Sequence, residues 1–527
     1  MDAPDLILQE VSVTRKMAAS LPRLREIAQG KGLKMHHLGA GYPHPEVTDP
    51  RKFLEHQARY YEHLEKEEGV NDAEKLPEYL RESYSYTDTL GPKTTRECFA
   101  RIYGRDWGIH IRPELLIPTV GASGGINLIC SIFERPGKPV AYITDAPTYP
   151  GFTARSSLCQ YAKIFSVEMD EEGAKPEDFK RQIGDARSQG YTVPFYYTVP
   201  DGHNPAGFSF SQERRRELLE IARASDLLIV EDAPYVYINF SDADSRPDPF
   251  FVMDPKQTVH LFTGSKIGFP GPRVGFFYSE ATLNIHEGEV IPLADLALTE
   301  SSSDILFQNP SSLRGFESML HDENFRELES MWPLAEVKLS VYRENRSILL
   351  DVLDRELGGL SEYFSWTKPD AGFFSVFTIN IPNVRTDDEF IENLVSDHGV
   401  VVIPMYDFYP EDAKKRNPSA GLDQLRLSFC FSESLGEDRR NDLREAVTAF
   451  CQAMKELIDD RLSMVIKFDA EPSYDLSDWF TKVLEKYSML NVISWYDVYT
   501  YRDSDREKNL KHLINYVNVV DVCDASR

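Results

Sequence analysis

Long apolar runs, basic charge and cysteine are all scarce in this chain of 527 residues. No apolar stretch approaches the roughly 18–20 residues that a helical membrane span requires. Lys and Arg number 58 against 85 Asp and Glu, a formal net charge of −27. That balance repels phosphate backbones and no basic patch interrupts it, which argues against nucleic acid as a general partner. The cysteines Cys98, Cys130, Cys159, Cys430, Cys451 and Cys523 contain no CxxC pair. Their scatter suits reduced, mostly buried thiols rather than a disulfide framework. The start, Met1-Asp2-Ala3-Pro4-Asp5, has no basic segment before an apolar run and does not read as a secretory leader. These features predict a cytoplasmic protein without membrane contact. Metal-ligand spacing is missing too: His36-His37, His56 and His63 lack an acidic ligand at helical spacing, and His286-Glu287-Gly288-Glu289 is not HExxH.

What is present is globular: 42% hydrophobic and 12% aromatic residues, in a length that fits roughly two to four domains. Leu21, Leu24, Ile27 and Ala28 give the N-terminal stretch a helical spacing that ends at Gly30 and Gly32. Residues 51 to 83 are dense in charge and predict a solvated helix with an irregular continuation. From about 110 to 280, short apolar runs alternate with helical stretches. The runs are Leu115–Pro118, Pro139–Ile143, Val193–Thr198, Leu227–Val230, Val259–Phe262 and Val274–Tyr278. Strands alternating with helices predict an α/β layer, a mostly parallel central sheet with helices on both faces. Farther on, a helix is expected over Glu327–Leu357 and strands over Gly372–Ile381 and Leu425–Phe431, a smaller α+β unit. The expected division is 1–50 as an arm contributing to the small domain, 51–310 as the large domain, 311–453 as the small domain and 454–527 as an extension. Within the extension, helices are expected over Asp475–Met489 and near Asp505–Val517, with a strand over Val492–Tyr501.

The chemistry sits at the ends of the predicted strands. Asn204-Pro205-Ala206-Gly207 follows one run, and Glu231-Asp232-Ala233-Pro234-Tyr235 follows the next. Thr263-Gly264-Ser265-Lys266 follows a third, with Arg273 seven residues beyond the lysine. Open α/β sheets place their ligands at such carboxyl ends. A lysine, an aspartate and an arginine converging there are what pyridoxal phosphate requires. The amine forms a Schiff base, the carboxylate keeps the pyridine nitrogen protonated, and the guanidinium binds phosphate. The run Gly121-Ala122-Ser123-Gly124-Gly125 opens a predicted helix, Ile126–Phe133, whose amides suit an anion.

With these residues placed, the chain resembles the fold-type I, class I and II aminotransferases over about residues 35 to 450. Ser265-Lys266-Ile267-Gly268-Phe269-Pro270-Gly271-Pro272-Arg273-Val274-Gly275 is most similar to the valine–pyruvate aminotransferases within that family, as are Asp145-Ala146-Pro147-Thr148-Tyr149 and Gly399-Val400-Val401-Val402-Ile403-Pro404. The resemblance implies that Lys266 is the Schiff-base lysine and proton shuttle, and that Asp232 pairs with the pyridine nitrogen. It implies that Asn204 and Tyr235 bond the phenolic oxygen and that Tyr149 stacks on the ring. Ala122, Ser123, Thr263, Ser265 and Arg273 would hold the phosphate. Tyr86, five residues before Gly91, resembles the tyrosine that reaches the neighbouring subunit's phosphate, which implies a homodimer. Asp88-Thr89-Leu90 departs there from the family's glycine-proline turn. Arg426, in Gln424-Leu425-Arg426-Leu427-Ser428, matches the arginine that takes the substrate carboxylate, and Gly41 the backbone amide that assists it. Tyr42 would line a side-chain pocket, with Tyr149, Phe208 and Phe269 as further aromatic candidates.

The expected reaction is transfer of the amino group of an aliphatic or aromatic L-amino acid to a 2-oxo acid, by a ping-pong cycle. The same cofactor also supports β-elimination, decarboxylation or oxidation. A regulator that uses this fold as a sensor carries a basic winged-helix domain in front, and only about 35 residues precede Gly39 here.

Overall fold

The structure is a computed structural model describing residues 13–41, 43–68, 77–135, 137–432 and 434–466. The expected elements of the extension beyond residue 466 therefore lie outside the described residues, as does Tyr42.

An eight-stranded sheet occupies the middle of the chain. Its order is Leu116–Val120, Val274–Tyr278, Thr258–Thr263, Leu228–Asp232, Thr192–Thr198, Val140–Ala146, Ala162–Asp170 and Gly173–Ala174. The strands from Thr258–Thr263 to Ala162–Asp170 run parallel, while Val274–Tyr278 is antiparallel to both its neighbours. Every residue of Leu228–Asp232, Val140–Ala146 and Thr258–Thr263 is buried. Strands covered on both faces need no polar alternation, which is why they read as continuous apolar runs. Alternation decides the face instead: Tyr142, Phe195 and Val230 join one core, and Ile143, Tyr196 and Ile229 the other.

A four-stranded antiparallel sheet follows, ordered Phe364–Trp366, Phe374–Ile379, Gln424–Ser428 and Ile403–Pro404. It packs Phe377, Leu425 and Leu427 against Leu349 and Leu353 of the helix Trp332–Leu357 and Phe450 of the helix Gly436–Ile466. The N-terminal arm joins this second core. His36–His37 pairs in parallel with Val400–Val401, Leu38 is buried in the core, and Leu24 of the helix Val13–Gly30 packs on Val395 and Val401. Only Tyr60 is buried in the charge-rich helix Pro50–Glu67.

Several expected boundaries shift for identifiable reasons. The long helix starts at Trp332 rather than Glu327, with Pro333 in its first turn. Glu327 instead bridges to His321 and binds Arg101 and Arg105. The strands expected over Gly372–Ile381 and Leu425–Phe431 are confined to Phe374–Ile379 and Gln424–Ser428. The helix expected from Ile126 begins at Gly121, so the glycine run is its first turn and not a preceding loop. Among the described residues no helix is long and apolar enough to cross a membrane.

Candidate active site

The strands Thr192–Thr198, Leu228–Asp232 and Thr258–Thr263 end along one wall of a cavity of about 470 Å³. Asn204, Asp232, Tyr235, Thr263, Ser265, Lys266 and Arg273 line it from this sheet edge. Ala122 and Ser123 enter from the helix Gly121–Phe133, and Tyr149 from the turn after Val140–Ala146. Gly41 and Arg426 reach it from the second core.

Asp232 is the last residue of its strand and is buried. Tyr197, one strand over, donates its hydroxyl to Asp232 Oδ2 at 2.8 Å, and its ring stacks on Phe152 at 4.0 Å. Asp232 Oδ1 is buried without a hydrogen-bond partner. Burial pushes this carboxyl up to about 7, against the opposing pull of the Tyr197 hydroxyl and the Lys266 ammonium. Its neighbour Glu231 faces the opposite side of the sheet. There it accepts the Phe250 and Phe251 amides at 2.8 Å each and meets His260 Nδ1 at 2.9 Å.

Lys266 Nζ donates to the Gly41 carbonyl at 2.7 Å. Burial, opposed by Cys430 and Asp232 and aided by the Arg426 and Arg273 cations, lowers its ammonium to about 8. A lysine tuned this way holds a useful fraction of free amine near neutral pH, as a nucleophile or proton carrier needs.

Thr263 Oγ1 and Ser265 Oγ lie 3.0 Å apart, and Arg273 Nη1 reaches Ser265 Oγ at 3.3 Å. The Gly121 amide donates to the Arg273 carbonyl at 2.8 Å with φ at +65°. A Cβ on Gly121 would stand 2.5 Å from Arg273 Nη2, so only glycine admits the guanidinium to the start of this helix. Hydroxyls, helix-start amides and a guanidinium together make a phosphate cradle.

At the opposite end, Arg426 is buried, donating from Nη1 to Asn204 Oδ1 at 2.8 Å and from Nη2 to the Gly39 carbonyl at 3.1 Å. Its Nε has no partner, and its guanidinium lies 4.0 Å over the Phe374 ring. Burial lowers its proton affinity to about 10, so it remains a cation at neutral pH without a carboxylate beside it. The Gly39–Gly41 backbone is pinned there by the Ser428 amide, donating to Leu38 O at 2.6 Å, and by the hydroxyl of Ser428 and the thiol of Cys430, both on Ala40 O.

Two expectations for the pocket are corrected. Phe208 and Phe269 do not line the cavity: Phe208 packs beside His203 and Phe210, and Phe269 on Phe53. The apolar wall is Leu21, Phe374, Val401, Ile403 and Phe431. Tyr86, expected to act on a neighbouring copy and not in its own chain's cavity, is 87% exposed and edge-on to Phe307 at 5.9 Å. Tyr197 escaped the sequence reading because it sits mid-strand among apolar residues. The available signal was alternation, which puts it on the Phe195 face while Tyr196 joins the opposite core.

These residues fit pyridoxal 5′-phosphate on their own geometry. A buried carboxylate oxygen lacks a donor, a lysine amine of lowered proton affinity lines the same cavity, and a cradle for phosphate lies at a helix start. With helices over both faces of the sheet, this defines a pyridoxal-phosphate enzyme of fold type I. The model of the family "Aminotransferase class I and II" matches residues 70–430, and the chain belongs to that family. It is 28% identical to the (S)-3,5-dihydroxyphenylglycine transaminase of Amycolatopsis orientalis, over 74% of this chain and 83% of that one. It is 24% identical to aromatic-amino-acid aminotransferase 1 of Thermococcus litoralis, over 86% and 97%. An archaeal alanine:glyoxylate aminotransferase structure superposes with a TM-score of 0.66 at 25% identity, covering 85% and 96%. The protein is a pyridoxal-phosphate-dependent aminotransferase acting on an amino acid and a 2-oxo acid.

Proposed function

We infer that the amino donor is an aromatic or aliphatic L-amino acid and that Lys266 carries the proton on which the transfer depends. The observation that supports this most is the pairing of the unpartnered Asp232 Oδ1 with Lys266 in one cavity that has Arg426 at its far end. The cofactor supplies an aldehyde that receives the amino group and a ring that draws electrons from the Cα–H bond. Asp232 would keep the ring nitrogen protonated, and Tyr197 holds Asp232. Asn204 and Tyr235 would bond the phenolic oxygen, Tyr149 would cover the ring, and Ala122, Ser123, Thr263, Ser265 and Arg273 would hold the phosphate. Arg426 and the Gly41 amide would fix the donor's carboxylate in the cavity that Lys266 also lines. Lys266 would carry the proton between Cα and the cofactor. A 2-oxo acid would take up the amino group in the reverse half of the cycle and leave as an amino acid.

The donor class rests on the wall Leu21, Phe374, Val401, Ile403 and Phe431, which offers rings and branched carbons to a side chain. The names of the two relatives, both aromatic in their substrate, point the same way. The likeness to valine–pyruvate aminotransferases, carried by the strings around Lys266, Tyr149 and Pro404, adds aliphatic donors. Exposed Tyr84, Tyr86 and Leu306 support a homodimer in which Tyr86 completes the second copy's phosphate site. Residues 51–310 would form its large domain, and 311–453 with 1–50 its small one. The free cysteines among the described residues favour the cytoplasm.

The test is a half-reaction. Single L-amino acids are added to the cofactor-loaded protein without any oxo acid. Loss of the aldehyde form's visible band, with one equivalent of oxo acid formed, is the expected result. Release of ammonia, carbon dioxide or peroxide instead would assign elimination, decarboxylation or oxidation. Arg426→Ala should lower kcat/KM for every donor by roughly 10²–10³-fold, mostly through KM, because two charge-assisted hydrogen bonds are lost. Cofactor retention should barely change; the reverse pattern would move the carboxylate site elsewhere.

A further inference from the structure

The long helix Trp332–Leu357 buries a lysine that the transfer chemistry does not use. Lys338 is 6% exposed, and no carboxylate pairs with it among the described residues. Its Nζ donates to the carbonyls of Val47 at 3.0 Å and Gly268 at 3.2 Å, and lies 5.8 Å from the centre of the Phe269 ring. Burial lowers this ammonium to about 8, so most of it still carries its charge at neutral pH. An ammonium held away from water without a counter-charge is costly, and an apolar side chain of similar length would avoid that cost. The lysine therefore matters for the two carbonyls it joins.

Both carbonyls belong to segments that carry functional atoms. Gly268 closes the turn that presents Lys266: its amide donates to Gly264 O at 2.7 Å, and a Cβ there would stand 2.8 Å from that oxygen. Val47 ends the stretch that runs on from Gly41, and within it the His44 amide donates to Tyr342 Oη at 3.2 Å. Tyr342 stands four residues after Lys338, so one face of the helix grips that stretch twice. The two segments also meet directly, where Lys266 Nζ donates to Gly41 O at 2.7 Å. That bond cannot last through the transfer, because the same nitrogen must bond the cofactor and then serve Cα. The bonds of Lys338 involve no reacting atom and persist when it breaks.

We propose that Lys338 is a positioning residue for the transfer: by joining Gly268 O to Val47 O it sets the Lys266 turn against the Gly41 amide. It thereby fixes the reach of Lys266 Nζ to the Cα of a donor whose carboxylate that amide holds. This rests on Lys266 as the proton carrier and deepens that reading. A misplacement of about 1 Å between such groups costs on the order of 10²-fold in rate.

The test uses full-length, cofactor-loaded protein, with L-phenylalanine and L-valine as donors, each also deuterated at Cα. Half-reaction rates at saturating donor are divided by the number of loaded sites, so that loss of folded or loaded protein does not register. Lys338→Met keeps the length and loses both bonds. It is expected to slow the rate per loaded site by about 10–100-fold and to raise the deuterium isotope effect, because proton transfer then limits the rate. Should that variant fold poorly, Lys338→Gln, with N–H donors on a shorter stem, gives the same test with about a tenfold loss. Tyr342→Phe loosens only the stretch beyond Gly41. It should raise KM by about 2–10-fold and leave the saturated rate and isotope effect unchanged. A rate per loaded site equal to wild type in the Lys338 variants, or a slower rate with an unchanged isotope effect, would overturn the proposal and leave the aminotransferase reading intact. Failure of the wild type to form an oxo acid from either donor would overturn both.

Discussion

Lys266→Ala should reduce the half-reaction with any amino acid by roughly 10⁴-fold or more, while the protein still folds and still takes up the cofactor. The size follows from what the amine does. A positioned proton carrier contributes on the order of 10²–10⁴-fold, and a covalent attachment point that divides one hard step into easier ones adds to it. Lys266 is suited to both, since burial brings its ammonium down to about 8, which leaves about a tenth of it as free amine at pH 7. The fold should tolerate the change. The lost partner is one backbone carbonyl, Gly41 O, whose loop keeps its contacts with Ser428 and Cys430. Two measurements separate a proton carrier from a merely structural lysine. Borohydride should link the cofactor covalently to the wild-type chain and leave the variant unlabelled by mass. A small amine such as methylamine, which fits the space vacated, should restore part of the rate. Turnover at the wild-type level in Lys266→Ala would overturn the assignment.

The part of the site that stands at strand ends was legible because local sequence determines it. An apolar run followed by a polar residue puts that residue at a strand's carboxyl end, and a parallel sheet aligns such ends. Asn204, Asp232, Thr263 and Lys266 meet for that reason, and the run Val274–Tyr278 coincides with its strand. The strand Ala162–Asp170 was missed because it is only partly buried: Lys163, Glu168 and Asp170 interrupt its apolar positions. The rest of the site depends on pairings that no local pattern contains. Arg426 meets Gly39 across 387 positions, and His36 pairs with Val400. The pocket wall of Leu21, Phe374 and Phe431 comes from three separate segments that share a cavity only once those pairings form. Periodicity reports that such residues are apolar but not which cavity they face. Arg426 was reachable through its motif.

Asp232→Asn should move stability and catalysis in opposite directions, and the sign of its pH dependence identifies the cause. In the cofactor-free fold, burial holds this carboxyl up to about 7, against an ordinary value of 3.8. Between those values the folded state binds more protons than the unfolded chain, so stability falls as pH rises through that window. Above about pH 7 the full cost is in place. A difference of about three pH units corresponds to on the order of 4 kcal/mol. Asparagine is neutral throughout and can still accept the Tyr197 hydroxyl, so the cofactor-free variant should melt higher than wild type at pH 8 and alike at pH 4. Cofactor binding removes the wild-type handicap, because a protonated ring nitrogen at Oδ1 supplies the missing partner. The variant instead presents an amide donor to that nitrogen and disfavours its proton. Its kcat should therefore fall by roughly 10²–10³-fold or more, the usual scale for losing one preorganised charge contact. Melting curves of both proteins across this pH range, with and without cofactor, decide the matter. Parallel pH profiles for the two cofactor-free proteins would mean that Asp232 is not held protonated by burial. A fully active variant would mean that the ring nitrogen lies elsewhere. What burial costs the empty fold at Asp232 is thus the same free energy that draws the cofactor's proton to it.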